Sequence, residues 1–217
     1  MQPPEAHTLA SGLDRLGLAL DADQQARLLA YQALIAKWNR VYNLTAVREP
    51  SEMLTHHLLD SLSVVGPLRR HAAGRPLRVL DVGSGAGLPG VVLAIAEPSW
   101  HITCVDTVGK KASFIQQAAA ELGLRQLRSE HARVEEMPSA RADVITSRAF
   151  ASLSDFTRLT EKHLAPGGTW MAMKGKTPTA EIAELPVTLD VFHVEPLTVP
   201  DLDAERCLVW IRPKAAE

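Results

Sequence analysis

Cysteine is nearly absent from this chain: Cys104 and Cys207 are the only two among 217 residues. Two thiols at that separation make neither a zinc-ligand cluster nor a disulfide framework, so no metal site is expected. A reducing, cytoplasmic setting is the default for such a chain. Long apolar runs are missing as well. Although 46% of the residues are hydrophobic, no uninterrupted stretch approaches the roughly 20 residues of a membrane span. The N-terminus lacks the basic-then-apolar order of a secretion signal. Neither sign of charge dominates, with 23 Lys+Arg against 25 Asp+Glu and a net charge of −2. That balance neither points to a nucleic-acid partner nor excludes one, because local patches outweigh totals. No internal repeat or low-complexity segment is present. The length fits one medium domain with a small extension, long enough to bury a core.

Two regimes follow one another along the chain. Residues 1–70 read as a helical extension. Asp21 and Gln24 have capping-box spacing, and Leu28, Tyr31, Ile35, Trp38 and Tyr42 then recur at three- and four-residue steps. A second amphipathic helix starts near Pro50-Ser51, proline being favoured in a first turn, with Leu54, Leu58, Leu62 and Val65 facing inward. Residues 69–76 form a basic connector bearing Gly and Pro. Over 71–217, read as a single compact unit, strands are expected near 78–82, 101–105, 126–131, 143–146 and 168–173. Helices are expected near 89–96, 109–122 and 152–164. Val187–Val194 and Cys207–Arg212 add two β-rich runs. Such alternation argues for an α/β domain, a mostly parallel sheet with helices on both faces. Pro166-Gly167-Gly168 reads as the turn that closes a helix and opens the next strand.

The most telling segment is Arg78-Val79-Leu80-Asp81-Val82-Gly83-Ser84-Gly85-Ala86-Gly87-Leu88-Pro89-Gly90, a buried strand running into a glycine-rich turn. In α/β proteins the crevice beyond the carboxyl ends of the strands takes nucleotide-like cofactors. Gly85 to Gly90 has P-loop spacing, but Val91 and Val92 follow where Lys and Ser/Thr are needed. A serine-hydrolase elbow fails because Val82 occupies its first glycine position. The dinucleotide pattern matches from Gly85, yet Asp81 would then stand beside a pyrophosphate and repel it. Read from Asp81, D-x-G-x-G-x-G resembles motif I of the Rossmann-like S-adenosylmethionine (SAM)-dependent methyltransferases, whose cofactor carries cationic groups. Asp106 closes the next strand about 20 residues on, where a carboxylate serves a ribose diol. It is also placed to cap the following helix. Lys110 and Lys111 read as a solvated face.

Other absences limit the chemistry. The loop after the fourth strand lacks the Asn/Asp-Pro-Pro-aromatic run of exocyclic-amine methyltransferases, and neither cysteine lies where carbon methylation of a pyrimidine needs its nucleophile. What remains is an acceptor that is already nucleophilic and loses no proton on attack, such as guanine N7. Proximity and alignment can supply about 7–11 kcal/mol for such a reaction without acid or base.

Asn43-Leu44-Thr45-Ala46-Val47-Arg48, His57-x-x-Asp60-Ser61, Asp81 to Gly90, Asp106, Arg133-Val134-Glu135-Glu136, Ser147-Arg148-Ala149-Phe150 and Lys174-Gly175 occur in this order. Together they closely resemble the ribosomal RNA small subunit methyltransferase G family, also called glucose-inhibited division protein B. The resemblance runs from about residue 30 to 212, leaving out the termini and Thr177–Pro186. It implies the Rossmann-like SAM-dependent methyltransferase fold, with a seven-stranded sheet behind the N-terminal helices. It also implies methylation of N7 of one guanine, at position 527 in the 530 loop of bacterial 16S rRNA, as naked RNA or as a small-subunit particle. No membrane and no stable protein partner is implied. On the cofactor side the resemblance places Gly83, Gly85 and Leu88 of the turn, Asp106 at the ribose, Val134 and Glu135 about the adenine, and Arg148 after the fourth strand. By residue type alone Val134 also suits the core, and Glu135-Glu136 an exposed helix start. Arg148 suits a methionine carboxylate, guanine O6 or a phosphate.

Candidates on the acceptor side are His57, Ser147 and Lys174, with no catalytic acid or base assigned. His57, Asp60 and Ser61 fall on one helical face, as a proton relay or as a hydrogen-bonded face steering the N-terminal helices. Lys174 is a substrate contact or a solvated lysine. Arg69, Arg70, Arg75 and Arg78 with Lys174 and Lys176 form a patch at the cleft or a scattered solvated surface. The alternatives are a SAM-dependent methyltransferase acting on another RNA, a protein or a small molecule and, more remotely, a nicotinamide-dependent oxidoreductase.

Overall fold

The computed structural model describes residues 4–148, 150 and 152–214. Ala149 of the Ser147–Phe150 motif lies outside them. Helix α1 (Pro4–Leu16) and helix α2 (Ala22–Tyr42) open the fold. The capping box at α2 forms as expected, with the Asp21 carboxylate accepting the Gln24 N–H and the Gln24 side chain returning to Asp21 N–H. Leu28, Tyr31, Leu34 and Ile35 face the core, while Trp38 is only partly buried and Tyr42 is exposed, so the stripe emerges at the last turn.

The second expected helix is not one uniform α-helix. It runs as α3 (Pro50–Met53), a π-helical stretch over Leu54–Leu59 and α4 (Asp60–Leu62). At the junction the Asp60 N–H reaches Thr55 O, five residues back, as well as His57 O. This wider turn buries His57, Leu58, Leu59, Asp60 and Ser61 consecutively. π-Bulges of this kind are frequent at functional sites. Helix α5 (Val65–Ala72) then takes over the first half of the expected connector, ending where Ala73 and Gly74 turn left-handed.

Seven strands follow: β1 (Arg78–Val82), β2 (His101–Asp106), β3 (Leu127–His131), β4 (Ala142–Ser147), β5 (Leu164–Lys174), β6 (Leu189–Leu197) and β7 (Arg206–Pro213). They form one sheet in the order β3-β2-β1-β4-β5-β7-β6, in which β7 runs antiparallel between β5 and β6 and the first five strands are parallel. Helix α6 (Gly90–Ala96) links β1 to β2, α7 (Gly109–Glu121) links β2 to β3, and α8 (Leu153–Thr160) lies between β4 and β5. Helix α9 (Thr179–Ala183) lies in the segment after β5 that the family resemblance leaves out. Strand order reverses between β1 and β4, the crevice position where α/β proteins bind ligands.

Side chains alternating along the strands divide the interior in two. Val79, Ile102, Cys104 and Val144 pack with the N-terminal helices, α6 and α7. Leu80, Val82, Val105 and Ile145 pack with Leu153 and Phe156 of α8. The Pro166-Gly167-Gly168 turn lies within β5 rather than before it. Pairing starts at Ala142 with Leu164 and resumes at Val144 with Thr169, so these residues form a bulge. A Cβ on Gly168 would come within 2.8 Å of Ala142 O, which explains why glycine stands there.

Candidate active site

The glycine turn is held from below and from the side. Asp81, at the end of β1 and wholly buried, accepts the Gly90 N–H at 2.8 Å. Gly90 packs so closely that a Cβ would sit 2.8 Å from that carboxylate oxygen. Asp106 carries the lateral tie, its two oxygens each accepting a backbone N–H, from Gly85 and from Val108, at 2.9 Å. Asp106 does not cap α7, whose N-cap is Val108 with no side-chain cap; its carboxylate holds the N–H of that cap residue instead and retains lone pairs for further donors. Gly83 and Gly85 are both left-handed, and a Cβ on either would meet nothing within 4 Å. Together they leave an open, backbone-walled cradle. Behind the turn, the Tyr31 hydroxyl of α2 donates to Ala86 O.

The cleft over this turn encloses about 470 Å³ and is lined by Val82, Gly83, Asp106, Val134, Glu135 and Phe150, among others. Such a volume is typical of small-molecule and cofactor sites. Four of the expected cofactor residues thus converge on it. Gly85 is joined to it through Asp106, while Leu88 is buried behind the turn. Lys111, read from sequence as a solvated residue, borders the same cleft. Burial raises the Asp81 carboxyl to about 7, opposed by the Gly90 N–H and the Arg148 charge.

Arg148 is not among the residues lining that cleft. It borders a second one of about 410 Å³ with His56, His57, Asp60, Lys174 and Arg206. Its guanidinium donates to His56 O at 3.0 Å and reaches Asp60 Oδ2 at 3.4 Å. The other Asp60 oxygen accepts from Arg206 Nε at 2.9 Å. The Asp60 side chain is only 3% exposed, so this one buried carboxylate joins the π-helical turn, the end of β4 and the start of β7. His57 Nε2 meets Thr45 Oγ1 at 2.9 Å, and Asn39 in turn holds the Thr45 N–H and Val47 O. Burial, and then the Arg148 charge, lower the His57 pKa to about 4. Lys174 is neither free nor fully solvated. It pairs with Glu181 of α9 at 2.8 Å, and that carboxylate also accepts the Leu153 N–H.

Several buried polar atoms between the clefts have no partner among the described residues: Asp81 Oδ1, His57 Nδ1, and the hydroxyls of Ser61, Thr146 and Ser147. Orphans of this kind are rare in folded proteins. They lie at the carboxyl ends of β1 and β4, on the π-helical stretch and on α4, and of their residues only His57 lines a cleft. The six basic residues considered as a patch do not form one. Arg69, Arg70, Arg78, Lys174 and Lys176 each face a carboxylate. Arg78 opens β1 while Lys174 closes β5, at opposite ends of the sheet. Sequence reasoning missed Arg206, which borders the second cleft, and Glu181, which holds Lys174 there. Each sits in a segment with no local motif.

The fold is that of the Rossmann-like SAM-dependent methyltransferases. A Burkholderia thailandensis 1,6-didemethyltoxoflavin-N1-methyltransferase, solved with S-adenosylhomocysteine, superposes with a TM-score of 0.58 at 16% identity, covering 91% of this chain and 92% of that one. Sequence narrows the class further. The family model for rRNA small subunit methyltransferase G matches residues 24–209. The protein of that name from Methylibium petroleiphilum is 61% identical over 216 residues, 98% of each chain. The one from Leptothrix cholodnii is 58% identical over 212 residues, 98% of this chain and 97% of its own. The chain belongs to the rRNA small subunit methyltransferase G family, and is thereby a SAM-dependent methyltransferase.

Proposed function

We propose that this protein methylates N7 of a guanine in 16S rRNA, position 527 of the 530 loop, as RNA or as a small-subunit particle in the cytoplasm. Family membership supports the cofactor and the substrate class. The observation that supports the choice of atom is the acceptor-side cleft, where the two buried titratable groups are already engaged and only exposed His56 stands at the border without a side-chain partner among the described residues. His57 has lost basicity to burial and engages Thr45 through Nε2. Asp60 is occupied by two guanidiniums. Guanine N7 attacks through a lone pair and has no proton to give up, so placement suffices.

The residues present suit the cofactor. Gly83 and Gly85 leave room for backbone to approach it, with Leu88 packed behind them. Asp106 is placed to accept ribose hydroxyls, and Val134 and Glu135 to flank the adenine. Bound SAM supplies a methyl group on a sulfonium, which departs as a neutral thioether. On the acceptor side, Arg148 and Arg206, aimed by Asp60, are positioned for guanine O6 or a neighbouring phosphate. A bidentate grip of one arginine on O6 and N7, the common pairing, would block the reacting atom. His57 and Lys174 line this cleft, Lys174 with its charge held by Glu181, while the Ser147 hydroxyl is buried at the end of β4 and lines neither cleft.

The test is transfer of labelled methyl from SAM to 16S rRNA, followed by reductive cleavage at N7-methylguanine. One cleavage site, at position 527, is expected. Methyl on another atom or another base, or no transfer to either RNA or particle, would overturn the assignment.

A further inference from the structure

The end of the sheet remote from both clefts carries arginines that the chain leaves uncompensated. The link from β3 to β4 contains only a single 3-10 turn, Val134–Glu136, where α6, α7 and α8 supply seven, thirteen and eight helical residues to the other parallel crossovers. The α8 face of the sheet is consequently open over the starts of β1, β2 and β3. A groove of about 350 Å³ lies there, bordered by Arg78, His101, Thr103, Arg125, Gln126 and Arg128. The register sets Arg78 beside His101 and Thr103 beside Arg128, on one face of the sheet.

The side chains of His101, Arg125 and Arg128 are exposed and form no ion pair or hydrogen bond among the described residues. Arg78 has one acid, Asp143, whose carboxylate also takes the Arg78 N–H and lies 3.5 Å from Nε. Exposed Arg141 adjoins the groove through Ala140 and Ala142. Glu130 is on the same strand face, two residues beyond Arg128 and away from the lining. A chain of net charge −2 has thus gathered cations of which only Arg78 faces a carboxylate among the described residues. Guanidinium forks match phosphate oxygens bidentately. No Phe, Tyr or Trp borders the groove, and its arginines suit a phosphodiester backbone rather than a base sequence.

We infer that this groove is a second RNA-binding surface, holding backbone phosphates of the substrate at a distance from the methylated base. Five strand residues at about 3.3 Å each put it roughly 16 Å behind the glycine turn. The inference rests on the ribosomal RNA reading above, and it adds a contact outside the catalytic half.

The experiment compares the full-length protein with the double variant Arg125→Gln/Arg128→Gln, measuring binding to 16S rRNA at rising salt and methyl transfer on the same samples. Every phosphate that an arginine no longer neutralises takes about 0.7–0.9 from the slope of log affinity against log salt. The variant's slope should therefore be shallower by about 1.4–1.8. Its affinity should fall about tenfold and KM for RNA should rise, with SAM affinity and kcat at saturating RNA unchanged. Arg125→Lys/Arg128→Lys, which keeps the charge, should recover most of the slope. A double Gln variant with the slope and affinity of the parent overturns the surface, as does a groove that binds an acidic peptide while RNA binding is untouched. A shallower slope in the variant, with no methyl group placed on guanine by the parent, upholds the surface and sinks the functional assignment instead.

Discussion

The two clefts at the carboxyl end of the sheet are built by opposite means. The one over the glycine turn is made of main chain: amides of Gly85 and Val108 converge on one carboxylate, and two glycines leave space where side chains would stand. The glycine turn and its two carboxylate ties lie within the β1-α6-β2 unit, with Val134, Glu135 and Phe150 closing the cleft from outside it. The other is made of side chains, and its centre is a single buried acid to which residues 88 and 146 positions away contribute guanidiniums. The amides of the cradle are tied by carboxylates on two neighbouring strands. A charge cluster of this sort exists only once β4, β7 and the π turn have all met. Taking one partner from a buried ion pair costs more than the pair itself stabilises, so the second cleft is the more brittle of the two.

Substitutions should separate them. The largest effect is expected from Gly83→Val, which places a β-branched residue in left-handed backbone, at a cost of about 1–2 kcal/mol, and fills the cradle. SAM affinity by equilibrium dialysis should fall more than about 100-fold, over 2.7 kcal/mol, while RNA affinity holds. Binding of SAM within a few-fold of the parent would mean the cradle serves some other ligand. Asp60→Asn comes next. With one guanidinium released, kcat/KM for RNA should drop about 10- to 100-fold, in line with about 2 kcal/mol for a broken buried charge pair, and SAM affinity should stay within about twofold. A parallel fall in SAM affinity would show the two clefts to be energetically one.

The smallest effect concerns pH. The Asp81 carboxyl is raised to about 7 in the folded chain, so the unfolded chain releases that proton first and stability falls as pH rises toward 7. His57 runs the other way: lowered to about 4, it withdraws stability as pH falls from its ordinary value toward 4. Across the shared window the two slopes oppose. Asp81→Asn should leave the His57 slope alone, so that the unfolding free energy from urea titration climbs by on the order of 1–3 kcal/mol between pH 4.5 and 6.5. A variant profile parallel to the parent's would remove Asp81 as a titrating group.

The same contrast explains what could be read from the sequence. The glycine turn, Asp106 at the end of β2, the capping box of Asp21 and Gln24 and the alternation of strands and helices are local patterns, and each forms as expected. The family motifs also led to His57, Arg148 and Lys174, but not to what they touch. Arg206 opens a strand with no signature around it, and Glu181 lies in the segment the resemblance left out; their importance comes from Asp60 and Lys174 in space. The π turn was invisible because its apolar spacing, Leu54, Leu58 and Leu62, also fits an α-helix, whereas the Asp60 N–H to Thr55 O bond that widens it has no counterpart in side-chain pattern. The bulge at Pro166–Gly168 was read as a helix stop because glycine and proline serve both purposes.

Helix α2 meets the catalytic half at two points of backbone: the Tyr31 hydroxyl on Ala86 O, and the Gln24 amide on the last carbonyls of α6, Ile95 and Ala96. One helix therefore spans α6 from its preceding turn to its end, as a splint spans a joint. A shortened chain beginning at the first strand would lose more than an outer layer. Its cofactor turn would have to find its shape without the splint, held only by the ties to Asp81 and Asp106.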